Sequence, residues 1–123
     1  MKFYKCPHCG TIVAAVQENC GPVRCCGEQM QVLEPNTTEA AVEKHVPVIA
    51  VEGNLVTVTV SSVAHPMTEE HLIQWVALQT KTGNQRKELK AGEAPQVQFA
   101  LVEGDEAVAA YAYCNLHGLW KSE

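Results

Sequence analysis

Leu55-Val56-Thr57-Val58-Thr59-Val60-Ser61 decides how this chain folds. Val56, Val58 and Val60 alternate with Thr57, Thr59 and Ser61, and a period of two sends one set to each face of a strand. One face is apolar and the other hydroxylated, so the segment is a half-buried strand. The same grammar continues toward the C-terminus. His71 to Leu78 reads as a second strand with His71, Ile73, Trp75 and Ala77 on one face, turned by Thr82-Gly83-Asn84. Gln85 to Lys90 is polar and reads as an exposed strand closed by Ala91-Gly92. Gln96 to Val102 points Val97, Phe99 and Leu101 inward, and Ala107 to Tyr113 forms another strand. Short strands separated by turns, without a long helix, predict a mainly β chain built as an antiparallel sandwich.

Toward the N-terminus the pattern changes. Glu34-Pro35-Asn36 reads as a linker, and Asn36-Thr37-Thr38-Glu39 as a capping box that opens a short helical turn through Glu43. Pro47 disfavours a helical backbone at Val46, so the chain leaves that turn extended and His45 sits at the bend. Residues 1 to about 35 form a cysteine ribbon. Cys6-Pro7-His8-Cys9-Gly10 is a knuckle whose two sulfurs converge ahead of a glycine, and Cys25-Cys26-Gly27 is a second pair with its own glycine. Between them Thr11 to Val16 reads as a strand and Asn19-Cys20-Gly21-Pro22 as a turn, with Cys20 left over as a free thiol. Four thiolates suit zinc or a single iron equally. The ribbon is too short to bury a sufficient core, so a bound metal is expected to supply much of its stability.

Composition sets outer limits. The chain has 123 residues, enough for one modest domain or one with a small appendage. It is 46% apolar and 19% charged, as expected of a globular protein. Six cysteines and an N-terminus without an apolar leader point to a reducing, cytoplasmic setting, where cysteines serve metal or redox chemistry. No apolar run is long enough for a transmembrane helix. The formal net charge is −5 with no Lys/Arg cluster, which argues against a nucleic-acid partner.

Chemistry concentrates in Tyr113-Cys114-Asn115-Leu116-His117-Gly118-Leu119-Trp120, where a thiol and an imidazole stand three positions apart. Taken alone, such a pair reads as a half-buried cysteine beside a surface histidine. His45, His65 and His71 change the reading. Two loops and a strand end can bring them to one edge of a sandwich, giving four nitrogens and one sulfur, one donor short of an octahedron. Pro66 holds His65 out of the helical region, as Pro47 does for Val46.

These motifs carry a resemblance. The adjacent pair in C-x2-C-x15-C-C resembles the desulforedoxin type of iron site, a rubredoxin-like centre. Glu43-Lys44-His45-Val46-Pro47, His65-Pro66-Met67 and Cys114-Asn115-Leu116-His117-Gly118-Leu119-Trp120 together resemble the superoxide reductase domain of the desulfoferrodoxin family. The resemblance implies a desulforedoxin-like iron domain over residues 1–36 and an immunoglobulin-like catalytic sandwich over 37–123. It implies iron at two mononuclear sites. Cys6, Cys9, Cys25 and Cys26 would hold the first. His45, His65, His71 and His117 would form the plane of the second, with Cys114 as the axial thiolate. Glu43 would cap the sixth position in the oxidised enzyme, and Lys44 would supply positive charge beside it. The implied reaction is one-electron reduction of superoxide to hydrogen peroxide, with a rubredoxin-like electron donor and a homodimeric assembly. Two other readings of the residues are a small electron-transfer protein working through the ribbon iron, and a zinc-stabilised interaction module.

Overall fold

The computed structural model describes residues 1–18, 21–40, 42–60 and 65–122, and of Glu43 the backbone alone. Cys20 and the end of the Leu55–Ser61 stretch therefore lie outside the described residues, as does Ala64. The chain divides into two compact units, Met1–Glu34 and Pro35–Glu123.

In the first unit, β1 (Phe3–Lys5) is the centre of a small antiparallel sheet. β2 (Ile12–Ala14) lies on one side with Phe3 opposite Ala14, and β5 (Gln31–Val32) on the other with Tyr4 opposite Val32. β3 (Arg24–Cys25) and β4 (Glu28–Gln29) form a separate hairpin. Its two turn residues, Cys26 and Gly27, both have positive φ, 54° and 72°. That is the combination a two-residue hairpin of type I′ requires, and it strains the non-glycine Cys26. Phe3, Cys6 and Met30 are the unit's buried apolar side chains among the described residues, a core too small to hold so short a segment alone.

The second unit is an antiparallel sandwich. One sheet has the order β10 (Gln96–Ala100), β7 (Leu55–Val60), β6 (Pro47–Glu52). The other runs β12 (Gly118–Lys121), β11 (Ala107–Cys114), β8 (Ile73–Thr80), β9 (Asn84–Glu88). Val56, Val58 and Val60 are fully buried and form a core with Val97 and Phe99 from the same sheet. Val76, Leu78, Ala110 and Ala112 meet them from the other sheet. The alternation read in β7 is thus the inner face of the sandwich.

Two strands escape sequence pattern. β6 is an edge strand whose outer residues Val48, Ala50 and Val51 are exposed, so its apolar run has no period of two. β12 has only four residues, too few to display one. The single-face reading of His71, Ile73, Trp75 and Ala77 is also corrected. The strand begins at Ile73, and Gln74 is an extra residue: Cys114 stands opposite Ile73, but Tyr113 stands opposite Trp75. This β-bulge reverses the parity. Ile73 joins Val76 and Leu78 in the core, while Trp75 stacks on Tyr113 outside the core cluster, ring centroids 5.5 Å apart.

Among the described residues, helical structure in this unit is one turn, α1 (Val42–His45), closed by Val46 N–H donating to Val42 C=O at 3.0 Å. The turn expected from the capping pattern, opening at Asn36–Glu39 and running through Glu43, is displaced: residues 36–40 are not helical, and the helix begins at Val42 and ends at His45, two residues past Glu43.

Candidate metal centres

The first cluster is built by the two knuckles. Cys6, Cys9, Cys25 and Cys26 bring their sulfurs within 4.8 Å of one another. Cys9 Sγ lies 3.6 Å from Cys25 Sγ, and Cys25 Sγ lies 3.9 Å from Cys26 Sγ. A tetrahedron with metal–sulfur bonds of about 2.3 Å has edges of about 3.8 Å. The spacing therefore fits a single ion. The protonation chemistry fits as well. Hydrogen bonding by Thr11 lowers Cys9 to about 6, and its hydroxyl lies 3.1 Å from the sulfur. Cys25, sharing a hydrogen bond with Cys9, is pushed up to about 12, and Cys26 is raised by the same neighbour. Four thiols this close cannot all ionise without a cation among them.

The second cluster lies at one end of the sandwich. His45 ends α1, His65 and His71 flank the loop before β8, and Cys114 and His117 bracket the hairpin from β11 to β12. Ring centroids run 4.7 Å from His45 to His65, 4.6 Å from His65 to His71, 5.1 Å from His71 to His117 and 4.9 Å from His117 to His45. The diagonal from His45 to His71 is 6.5 Å. Those five distances describe a near-square, and neighbouring rings are tilted 74° to 88° from one another, like propeller blades.

The donor atoms point inward. His45 Nε2 is 3.1 Å from both His65 Nε2 and His117 Nδ1. Two nitrogens bound at right angles by bonds of about 2.1 Å would stand about 3.0 Å apart. Cys114 is fully buried, and its sulfur lies 3.8 Å from His117 Nδ1. His65 Nδ1 is 2.6 Å from the Pro66 carbonyl, which can only accept, so Nδ1 carries the proton and Nε2 presents its lone pair. His71 Nε2 is buried with no hydrogen-bond partner. An orphaned buried nitrogen beside three converging ones fits a site for a cation.

Electrostatics points the same way. Burial, helped by three neighbouring imidazoles, holds His65 down at about 4, and burial also lowers His71. Both rings are therefore neutral, as metal ligands must be. Burial raises Cys114, while the N–H groups of Leu116 and His117 oppose the rise by favouring the thiolate.

The surroundings include residues that sequence reading did not single out for a role. Trp120 Nε1 donates to the His117 carbonyl at 3.0 Å, and its ring stacks on His45 at 4.9 Å. Thr68 Oγ1 lies 3.1 Å from His71 N and 3.2 Å from His71 O, closing the turn that carries His71. Trp120 was visible as an apolar residue beside the Cys-x-x-His motif; nothing in the sequence marks Thr68. Lys44 is exposed on α1 next to His45, and the Glu43 side chain lies outside the described residues.

A four-thiolate knuckle and a sandwich bearing four imidazoles around a buried thiol define a small metalloprotein with two mononuclear centres. Known proteins agree. The desulfoferrodoxin profile matches residues 37–123. A desulfoferrodoxin homologue of Archaeoglobus fulgidus is 48% identical over 122 residues, covering 99% of this chain and 96% of its own. A desulfoferrodoxin of Nitratidesulfovibrio vulgaris is 47% identical, covering 99% and 95%. The crystal structure of the superoxide reductase from Treponema pallidum is 42% identical, with TM-score 0.84 over 99% of this chain and 98% of that one. The chain belongs to the desulfoferrodoxin family, and it carries donor sets for both of that family's iron sites.

Proposed function

We propose that this protein is a superoxide reductase, and the observation that carries the proposal is the square of four imidazoles around the buried Cys114 thiol. In this reading residues 1–36 are the desulforedoxin-like iron domain and 37–123 the catalytic domain. Cys6, Cys9, Cys25 and Cys26 hold one iron. His45, His65, His71, His117 and Cys114 would hold the second. Iron bound there would supply one-electron redox chemistry, and one electron with two protons converts superoxide to hydrogen peroxide.

The chain's own residues prepare that chemistry. Imidazoles that ligate a metal add no charge, so the Cys114 thiolate would set the electron richness of the site. Pro66 fixes the His65 tautomer through its carbonyl. Trp120 covers one face of His45, keeping water from that side of the ring. Lys44 draws an anionic substrate toward an otherwise acidic molecule, because steering depends on local charge. Glu43, one residue before Lys44, offers a carboxylate to the oxidised centre.

Electrons reach the enzyme from a rubredoxin-like protein, and the working form is a cytoplasmic homodimer. The small core of the first unit supports association, and cysteines gathered as metal donors suit a reducing compartment. No helix among the described residues is long and apolar enough to cross a membrane. A carrier working through the ribbon iron alone would leave the five-donor cluster without a purpose.

Metal analysis, the visible spectrum and superoxide consumption under a reducing donor test the proposal together. The protein should hold two irons and show a broad red-region thiolate-to-iron band when oxidised. Cys114→Ser should lose both the band and the reductase activity while the sandwich remains folded. Retention of both by that variant would refute the assignment.

A further inference from the structure

His71 differs from His65 and His45 in how its ring is held. The ring of His65 is steered by Pro66 and that of His45 lies against Trp120, but His71 Nε2 has no hydrogen-bond partner. No hydrogen bond at that nitrogen holds the ring in place, so where its backbone is held matters more for this donor. Thr68 closes the turn locally, yet its contacts lie within the same loop and move with it.

Asn115 reaches across from the hairpin that carries Cys114 and His117. Its Oδ1 accepts the Leu72 N–H at 3.0 Å, and its Nδ2 donates to the Glu70 carbonyl at 2.9 Å. The Glu70 carbonyl belongs to the peptide that enters His71, and the Leu72 N–H to the peptide that leaves it. One carboxamide thus grips both peptide planes of a single donor residue. The Asn115 N–H adds a third bond, to the Leu72 carbonyl at 3.2 Å. The orientation of the amide follows from its partners, since a carbonyl must face an N–H donor and the NH2 an acceptor. Asn115 is also the residue directly after Cys114 and two before His117, so its bonds connect donors from two separate loops.

We propose that Asn115 is a positioning residue that fixes His71 relative to Cys114 and His117 at the second metal centre. The proposal rests on the reading of these side chains as iron ligands and extends it. Alanine at 115 removes both side-chain bonds and leaves the peptide planes of His71 held chiefly by the Thr68 turn within their own loop. Aspartate keeps an acceptor for Leu72 but loses the donor to Glu70, so it should lie between alanine and wild type.

The test is release of the second iron from the full-length, iron-loaded protein to bipyridine, alongside the thiolate-to-iron band. Groups that orient a metal ligand are worth about 10- to 100-fold in metal affinity. Asn115→Ala should lose iron at least about 10-fold faster and shift the band, with an unchanged far-ultraviolet spectrum. In a His71→Ala background, adding Asn115→Ala should cause no further acceleration, because the ligand it positions is gone. Equal release by Asn115→Ala and wild type would overturn the proposal. So would full additivity in the double variant, which would make Asn115 a general brace of the hairpin. If Asn115→Ala does not fold, Asn115→Asp carries the same comparison, and wild-type release from it overturns the proposal. A wild-type protein with neither second iron nor band would overturn both this proposal and the reading of the site.

Discussion

Substituting Gly118 by alanine should weaken the catalytic unit through the backbone that presents His117. Gly118 pairs with Cys114 and closes a three-residue hairpin loop, Asn115-Leu116-His117, with φ of 78°. A three-residue hairpin needs a left-handed residue at this place, and a Cβ there costs about 1–2 kcal/mol. The added methyl would also meet Thr38 Oγ1 at 3.2 Å, a tight contact that adds a further cost unless the hydroxyl gives way. With a urea dependence of about 1–3 kcal/mol per molar for a small protein, the sum lowers the unfolding midpoint by about 1 M. Both tryptophans, Trp75 and Trp120, lie in the second unit, so their emission follows that unit alone. The assay is equilibrium urea unfolding by tryptophan fluorescence at fixed metal content, for Gly118→Ala and for Gly118→Ala with Thr38→Ala. The double variant should recover only the contact part. A wild-type midpoint in Gly118→Ala would refute the backbone argument, and complete recovery in the double variant would show that the clash alone mattered.

Cys25→Ser should disturb the first iron while the second still reacts with superoxide, since every proposed ligand of the second follows residue 44; pulse radiolysis of the variant measures this. A rate constant as low as that of Cys114→Ser would make the two sites inseparable. Lys44→Ala should slow the second-order reaction with superoxide and flatten its salt dependence, because an exposed charge acts over about 8 Å at physiological ionic strength. Glu43→Ala should keep the fast step and alter the oxidised spectrum. Identical rates and salt slopes for wild type and Lys44→Ala would sink the steering role. His65 sits at about 4 in the fold against 6.5 ordinarily, so between those values the unfolded chain binds the extra proton. The metal-free catalytic unit should therefore be unaffected by this group above about pH 6.5 and lose stability as pH falls toward about 4. Its urea midpoint at about pH 5 should be lower than at about pH 7.5, with a smaller difference in His65→Gln. No difference between the two proteins would remove His65 as the cause.

The local chemistry of this protein was legible in its amino-acid order. Alternation in Leu55–Ser61 specified an inner strand because side-chain direction in a strand depends only on position. The two cysteine knuckles were legible because a few residues and a following glycine suffice to converge two sulfurs. The identities of the second cluster's donors were legible too, through motifs that resemble those of a known family. Tertiary structure decided who stands beside whom. The cyclic order His45, His65, His71, His117 depends on α1, a loop and a hairpin meeting at one end of two sheets, and no local period records it. The bulge at Gln74 broke the reading of β8, because one unpaired residue reverses every face assignment on one side of it. Asn115 and Trp120 stood in a quoted motif without a role, since a hydrogen bond to Glu70 or a stack on His45 exists only after residues distant in sequence are folded together. Residue type fixes which bonds a side chain can make; strand register and sheet packing choose which of them it does make.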